Sequence, residues 1–442
     1  MKFDLNNILL VLYIFAWMVS FALYQRRKRH FDAGSVIIFS YLIYSISSFF
    51  LINDPFWGPE FTELHLFPFI YLFLILLLVA WPVLRFDAFK VIEIQKPSNV
   101  LFYAISILLI VSTFFCLKEA LPRVVSGFLR ILLDSAGGLE IYKETMDESE
   151  SMNIGDGKIS NLPSIIQGLL SDLGTLMFFF YLTLKKRNKL ITIGLLIACV
   201  YPIVDNIAIS QRGPVIDRVF TIIITFFALK KFIPQKISNI IKTIGIVLII
   251  AITVPIVAIT ISRFDRPGSG GAMSSVLFYT GQENLFFNNY GLDNGGLRYG
   301  DRTFPMFKRM LGFDNVPHNF YERRAKYPNL KINDEAFIGF VGDFTLDFGP
   351  YIAPLIFIFF TLFILNNTRV RNGRILFHQL ILLHFVMCIC IQGGMKLFSY
   401  SDVSNLRIIT IFIAYWAFRI DYELIKQRRL LNHFVTYPKV FK

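Results

Sequence analysis

The chain has 442 residues, of which 55% are hydrophobic and only 17% charged, with a formal net charge of +13. Soluble domains carry roughly 25% charged residues, so this composition excludes a water-soluble globular protein and requires a lipid solvent. The basic residues fall in short clusters between apolar runs, the pattern of membrane-protein loops, which excludes nucleic acid as the reason for the charge.

Apolar runs of the roughly 20 residues that a bilayer-crossing helix needs lie at 6–24, 33–52, 67–84, 99–117, 164–184, 189–206, 214–231, 240–262, 349–366, 376–395 and 402–420. The expected fold class is an all-α polytopic membrane protein of about eleven transmembrane helices. The first run has no small-residue cleavage site and is followed by Arg26, Arg27, Lys28 and Arg29, so it reads as a signal-anchor span. Cys116, Cys199, Cys388 and Cys390 all fall in or beside apolar runs and read as small buried hydrophobes, not as ligands or a redox pair.

The sides follow from Lys and Arg. Every connection after an odd-numbered span is basic: Arg85, Lys90 and Lys96 follow the third, Lys185, Lys186, Arg187 and Lys189 the fifth, Lys230, Lys231 and Lys236 the seventh, and Arg369, Arg371 and Arg374 the ninth. Lys426, Arg428 and Arg429 follow the last. The short connections after even-numbered spans are poor in cations: 53–65 has none, 206–213 only Arg212 and 393–402 only Lys396. The positive-inside rule then puts the amino terminus outside and the carboxyl terminus in the cytoplasm. Two long segments fall outside. In 118–162 a weakly amphipathic stretch reads as an interfacial helix, followed by an acidic solvated loop at 143–150. The segment 263–348, entered through a flexible 267–271, reads as a large extracytoplasmic loop domain between spans eight and nine. The chain thus divides into spans one to eight (1–262), the loop (263–348) and spans nine to eleven with the tail (349–442).

Three outer features carry chemistry. Arg212 is the one cation of its turn, held in Ser210-Gln211-Arg212-Gly213 ahead of Pro214, with Asp205 and Asp217 close to the apolar zone; ionisable residues there are costly and point to function. The long loop is rich in cations (Arg263, Arg266, Arg298, Arg302, Lys308, Arg309, Arg323, Arg324 and Lys326), and the planar fork of Arg suits phosphate and pyrophosphate. Third, Pro317-His318-Asn319-Phe320-Tyr321 is followed by the segment from Phe340 to Gly349 that contains Asp343. No nucleophile motif, phosphate-binding glycine loop, dinucleotide turn or metal-spaced His/Cys set is present. No internal repeat is visible, and the cytoplasmic loops are too short to house a nucleotide-driven enzyme.

These features resemble the Wzy-type polymerases of lipid-linked oligosaccharide repeat units, relatives of the O-antigen ligases. The resemblance rests on Arg212-Gly213 after a span, on Val276–Gly281 with Asn288-Asn289-Tyr290 at the start of the long loop, on His318-Asn319, and on the acidic-aromatic run Gly342–Gly349 that enters the next span. One departure is that 322–336 intervenes here between His-Asn and that span. The resemblance implies an enzyme of the bacterial inner membrane, with its amino terminus periplasmic, that joins undecaprenyl-pyrophosphate-linked oligosaccharides into O-antigen or capsular polysaccharide. It implies no metal and no cofactor. The implied partners are the lipid-linked substrates, membrane lipids, a chain-length regulator and a flippase. On this reading Arg212, Arg298 and Arg302 hold pyrophosphate, where fixed positive charge meets developing negative charge. His318 is the expected base, with Asp343 as its alternative, and Tyr279, Tyr290 and Tyr321, with Phe286, stack on sugars. A ligase would use the same donor chemistry. A flippase without covalent chemistry would place charges deep in several spans, whereas spans one to four hold almost none; a scaffold would not need the cationic loop.

Overall fold

A computed structural model describes residues 5–133, 137–151, 162–264, 270–332, 336–393 and 402–436. Each of the apolar runs coincides with a helix: α1 (Leu5–Lys28), α2 (Ala33–Ile52), α3 (Leu66–Arg85), α4 (Asn99–Leu133), α6 (Leu162–Thr183), α7 (Lys189–Ala208), α8 (Arg212–Leu229), α9 (Gln235–Phe264), α13 (Gly339–Asn367), α14 (Phe377–Gln392) and α15 (Asp402–Thr436). Between them stand α5 (Gly137–Ser151), α10 (Gly271–Phe286), α11 (Pro305–Met310) and α12 (Phe320–Lys326). Among the described residues, eight helices (α1 to α4, α6, α7, α9 and α13) are long and apolar enough to cross a membrane. The protein is therefore an all-α, multi-pass membrane protein. Of the other three, α14 has only 16 residues, and α8 carries Arg212, Asp217 and Arg218 in its first two turns.

Hydrogen bonds sort the helix connections into two opposite ends. At one, Lys28 reaches the carbonyl of Phe86, Lys231 those of Phe89 and Val91, and the amide of Ser98 donates to Asp421. The short strands β1 (Glu93–Gln95) and β2 (Arg374–Leu376) pair in parallel there. At the other end Asn53 bonds Asn7, Asn288 bonds the backbone of His65, and Arg212 meets Thr260. The basic clusters all belong to the first end and the candidate site residues to the second. Lys396, Arg266 and the entry at 267–269 lie outside the described residues.

Aromatic side chains fill the space between helices, which accounts for the Phe-rich composition. Phe102 of α4 meets Phe180 of α6 and Phe377 of α14, and Phe377 meets Phe418 of α15. All four cysteines are buried and free.

Three expectations are corrected. The stretch after residue 117 is not a separate interfacial helix: α4 continues through Pro122 to Leu133, and its Gly127 lies so close to α7 that a Cβ would stand 2.6 Å from the carbonyl oxygen of Ala208. The acidic run is not a loop. It belongs to α5, where Glu140 and Glu144 pair with Arg130 at 2.7 and 3.0 Å and where the amide of Gly138 bonds Ser262 of α9. Nor does 270–348 stand apart as a loop domain. It is largely helical and packs on the bundle, α10 along α2 and the π-helical turn Phe287–Gly291 on α3 and α13.

The seam between α10 and α2 depends on Gly281. A Cβ there would meet the backbone of Ser47 and Ser48 at 2.8 Å, and the approach lets Ser48 donate to the Gly281 carbonyl at 2.8 Å and accept from Asn284 at 2.9 Å. Backbone cannot give way as a flexible side chain can, so Gly281→Ala is expected to destabilise by about 1–3 kcal/mol. Gly245→Ala, in an open position of α9 with nothing within 4 Å, is expected to be neutral or slightly stabilising. Unfolding of the two variants in mixed micelles compares them directly.

Candidate functional site

The cations of the second end fall into two classes. Arg298 and Arg302 belong to the first. The helix that α13 opens with runs from Gly339 to a break at Gly349, whose φ of +83° no ordinary side chain adopts readily. Asp343 and Asp347, four residues apart, share one face of it. The carbonyls freed at its end accept from the chain that precedes α11: the amide of Arg298 bonds Leu346 O at 3.1 Å and that of Tyr299 bonds Asp347 O at 2.9 Å. This register brings the guanidiniums to the carboxylates. Arg298 Nε lies 2.9 Å from Asp347 Oδ1, Arg302 Nε lies 2.6 Å from Asp343 Oδ1, and Thr303 gives its amide and hydroxyl to Asp347 Oδ2. Arg298 and Asp343 are 1% and 0% exposed. Beside them Asp301 takes Lys308, Lys326 and Tyr327; burial alone would raise its pKa, and these donors outweigh it and hold the carboxyl below its ordinary range.

Arg212 belongs to the second class. It stands in the first turn of α8, 5% exposed, between the rings of Phe264 and Tyr279, whose centroids lie 4.3 and 4.2 Å from its guanidinium carbon. Nη1 donates to Thr260 Oγ1 at 2.9 Å, and Nη2 is buried without a hydrogen-bond partner. No carboxylate among the described residues pairs with it. A second guanidinium, Arg263, touches the same Phe264 ring at 5.1 Å, lies 3.7 Å from the centroid of Tyr142 and donates to Ser210 O. The Ser210 hydroxyl is likewise buried and unpartnered, on a backbone with φ of 56°, and beside Gly213 nothing lies within 4 Å of where a Cβ would be. Two cations, aromatic walls and the amino terminus of an 18-residue helix converge here. Such an arrangement attracts an anion.

The remaining expected residues scatter. His318 is exposed, and its amide donates to Glu322 Oε2 at 2.7 Å, while Asn319 caps α12 by accepting from the amide of Glu322. The Pro-His-Asn motif thus has a structural explanation as a helix start. Tyr321 is 61% exposed. Tyr290 lies tilted beside Phe286, with centroids 6.3 Å apart, and packs on Ile332, Ile338 and Leu346. Asp205 faces Arg123 at 3.9 Å. Of Tyr279, Tyr290 and Tyr321, Tyr279 is the one that stands against Arg212.

Two buried groups escaped the sequence reading. Arg218 of α8 bonds Asp172 at 3.1 Å, with Ser171 and Thr175 also accepting from it, while Arg407 of α15 approaches Asp172 at 3.8 Å. The signal was an Asp and an Arg inside apolar runs. Glu283 of α10 is 3% exposed with both carboxyl oxygens unpartnered. Its signal was the polar triplet Gln282-Glu283-Asn284 inside an apolar stretch. Comparison of the chain with family models, curated proteins and solved structures finds no match.

The two classes predict stability losses of different size. Removing one partner of a buried ion pair costs about 3–5 kcal/mol because the other charge is stranded. Asp343→Ala is therefore expected to lower unfolding stability by that amount, and Arg212→Ala, which strands no charge, by no more than about 1 kcal/mol. Denaturation of the purified variants in micelles tests the contrast.

Proposed function

We propose that the protein is a membrane glycosyltransferase that polymerises lipid-pyrophosphate-linked oligosaccharides, in the manner of the polymerases it resembles, with Arg212 and Arg263 holding the pyrophosphate of the donor. One observation carries this reading: Arg212 is a buried guanidinium without a carboxylate among the described residues, beside a second guanidinium. Burying unpaired cations costs free energy in the empty protein, and an anion with several oxygens removes that cost. A pyrophosphate offers oxygens to the open Nη2 of Arg212, to Arg263 and to the Ser210 hydroxyl together.

In the proposed reaction a sugar hydroxyl of one lipid-linked unit attacks the anomeric carbon of another. The bond from that carbon to the pyrophosphate oxygen breaks, and lipid pyrophosphate leaves. The leaving group is a weak base, so no acid need protonate it; what lowers the barrier is fixed positive charge at the phosphate oxygens. Arg298 and Arg302 are occupied by Asp343 and Asp347, so we assign them to holding the end of the bundle in place. Asp343, with Arg302 at 2.6 Å, is a poor base for the same reason. On this reading the site faces the periplasm, as the basic clusters at the opposite end require, and α8, α14 and α15 complete eleven spans.

The test uses lipid-linked oligosaccharides extracted from source cells lacking this protein, incubated with the purified protein alone. Polymer of graded length is the expected product. Arg212→Ala is expected to cut the rate at least 100-fold while the protein stays folded and inserted. A wild-type protein that consumes no lipid-linked unit sinks the proposal, and transfer of a single unit to another acceptor without growth favours the ligase reaction.

A further inference from the structure

Glu283 is a buried carboxyl with neither oxygen hydrogen-bonded. Its neighbours on α10 are all held: Gly281 accepts from Ser48, Gln282 accepts from the amide of Phe337 at 3.3 Å, and Asn284 bonds Ser48 and Tyr13. Glu283 alone has no donor on either oxygen. It is no accident of loose packing, because the fold makes room for it. Gly339, at the start of α13 with φ of +65°, leaves a place that its own Cβ would occupy only 1.7 Å from Glu283 Oε1. Around the carboxyl stand Tyr13 of α1, Tyr41 and Tyr44 of α2, and Asp343 of α13. Tyr41 is committed to the Cys390 carbonyl at 2.9 Å, whereas the Tyr44 hydroxyl is buried and unpartnered. Among the described residues no cation pairs with Glu283, and Arg302 and Arg298 pair with Asp343 and Asp347.

Burial pushes the Glu283 carboxyl well above its ordinary range, and the charge of Asp343 adds to the push. A carboxylate raised in this way is a far stronger base than a surface one, and what it lacks in the empty protein is a hydrogen-bond donor. A sugar hydroxyl is such a donor.

Position agrees. Tyr279, the ring against Arg212, lies four residues before Glu283 on α10, hence on the same face and about 6 Å along the axis. A donor phosphate within about 3 Å of the guanidinium, an attacking hydroxyl about 3 Å from the anomeric carbon and a base about 3 Å beyond that oxygen need a base and a cation in adjacent turns of one surface. α10 presents them that way, with Tyr279 marking the phosphate end and Glu283 the acceptor end.

We infer that Glu283 is the general base of the transfer, taking the proton of the acceptor sugar's hydroxyl as that oxygen bonds to the anomeric carbon at the Arg212 site. The inference rests on the glycosyl-transfer reading above. The proton passes from the hydroxyl to the Glu283 carboxylate, the electron pair of the broken carbon–oxygen bond leaves with the lipid pyrophosphate, and Glu283 returns its proton to water when product departs. Because the deprotonated form is the active one and its pKa is raised, the rate climbs with pH above the range in which an ordinary carboxylate is already fully ionised.

The experiment compares wild type, Glu283→Gln and Glu283→Asp in the purified polymerisation assay across pH, alongside binding of undecaprenyl pyrophosphate without sugar. Gln has the shape of the protonated acid, so the fold is preserved. The expected result is a loss of at least 100-fold in rate for Glu283→Gln with undecaprenyl pyrophosphate binding within about twofold of wild type. Glu283→Asp is expected to keep part of the rate and an ascending pH limb. Polymerisation by Glu283→Gln at the wild-type rate and pH dependence overturns the base assignment and leaves the transfer reading standing. Loss of undecaprenyl pyrophosphate binding together with rate overturns it too, since Glu283 then serves the fold. A wild-type protein that makes no polymer overturns both.

Discussion

The break at Gly349 is the constraint on which this end of the molecule depends. A helix that stops inside a protein leaves its last carbonyls without donors, and in an apolar surrounding each must be satisfied from within the chain. Here the amides of Arg298 and Tyr299 do so, and that backbone match is what aligns Arg298 and Arg302 with Asp343 and Asp347. Charges so deeply buried are stable only as a neutralised set. The chain between α10 and α13 is therefore tied to the bundle by a backbone register first and by ion pairs second.

Neutralisation of this set gives Arg212 its meaning. A membrane protein with many outward cations invites the view that all of them serve an anionic substrate, and by sequence they are equivalent. Geometry separates them by what they already hold: Arg298, Arg302, Lys308, Lys326 and Arg218 each have a carboxylate, and Arg309 has Asp402. Arg212 and Arg263 have aromatic faces and neutral oxygens in its place. Cation–aromatic contacts hold a guanidinium in position without neutralising it, which leaves the charge available to a ligand.

The apolar runs were legible because crossing a bilayer demands length and hydrophobicity that little else produces, and their bounds match α1 to α3 within a few residues. The alternation of basic connections was legible for the same reason, and the two ends of the bundle follow it. Segments of mixed character were not. The weak amphipathicity after residue 117 and the acid run at 143–150 suggested an interfacial helix and a loop, yet α4 runs on through Pro122, where one lost helical hydrogen bond is tolerable with Gly127 packed on α7, and Arg130 turns α5 into a paired helix. The four-residue spacing of Arg298 with Arg302 and of Asp343 with Asp347 was on view in the sequence. That they face each other was not, because 41 residues separate Arg302 from Asp343 and only the folded register brings them together. His-Asn at 318–319 was ambiguous for the opposite reason: a short motif that suits catalysis equally suits the amino-terminal cap that Asn319 makes here.

Glu283 shows why burial carries information that residue type does not. In the sequence it stands between Gln and Asn, a polar triplet inside an apolar stretch. In the fold that triplet is pressed between α2 and α13, Gly281 having brought α10 within backbone contact of Ser47 and Ser48. Two of the three side chains find partners, as buried polar groups ordinarily do. The third would be a liability for stability alone, since an apolar residue of similar size would cost less there. Gly339, at a φ of +65° that suits glycine and without a side chain to interfere, makes room for it all the same. A fold that buries an unpartnered carboxyl against a glycine, one helical turn from the ring that steadies Arg212, has kept stability below what packing alone would allow. That concession is understandable on the proposed transfer reading, which sets a base beside an anion site.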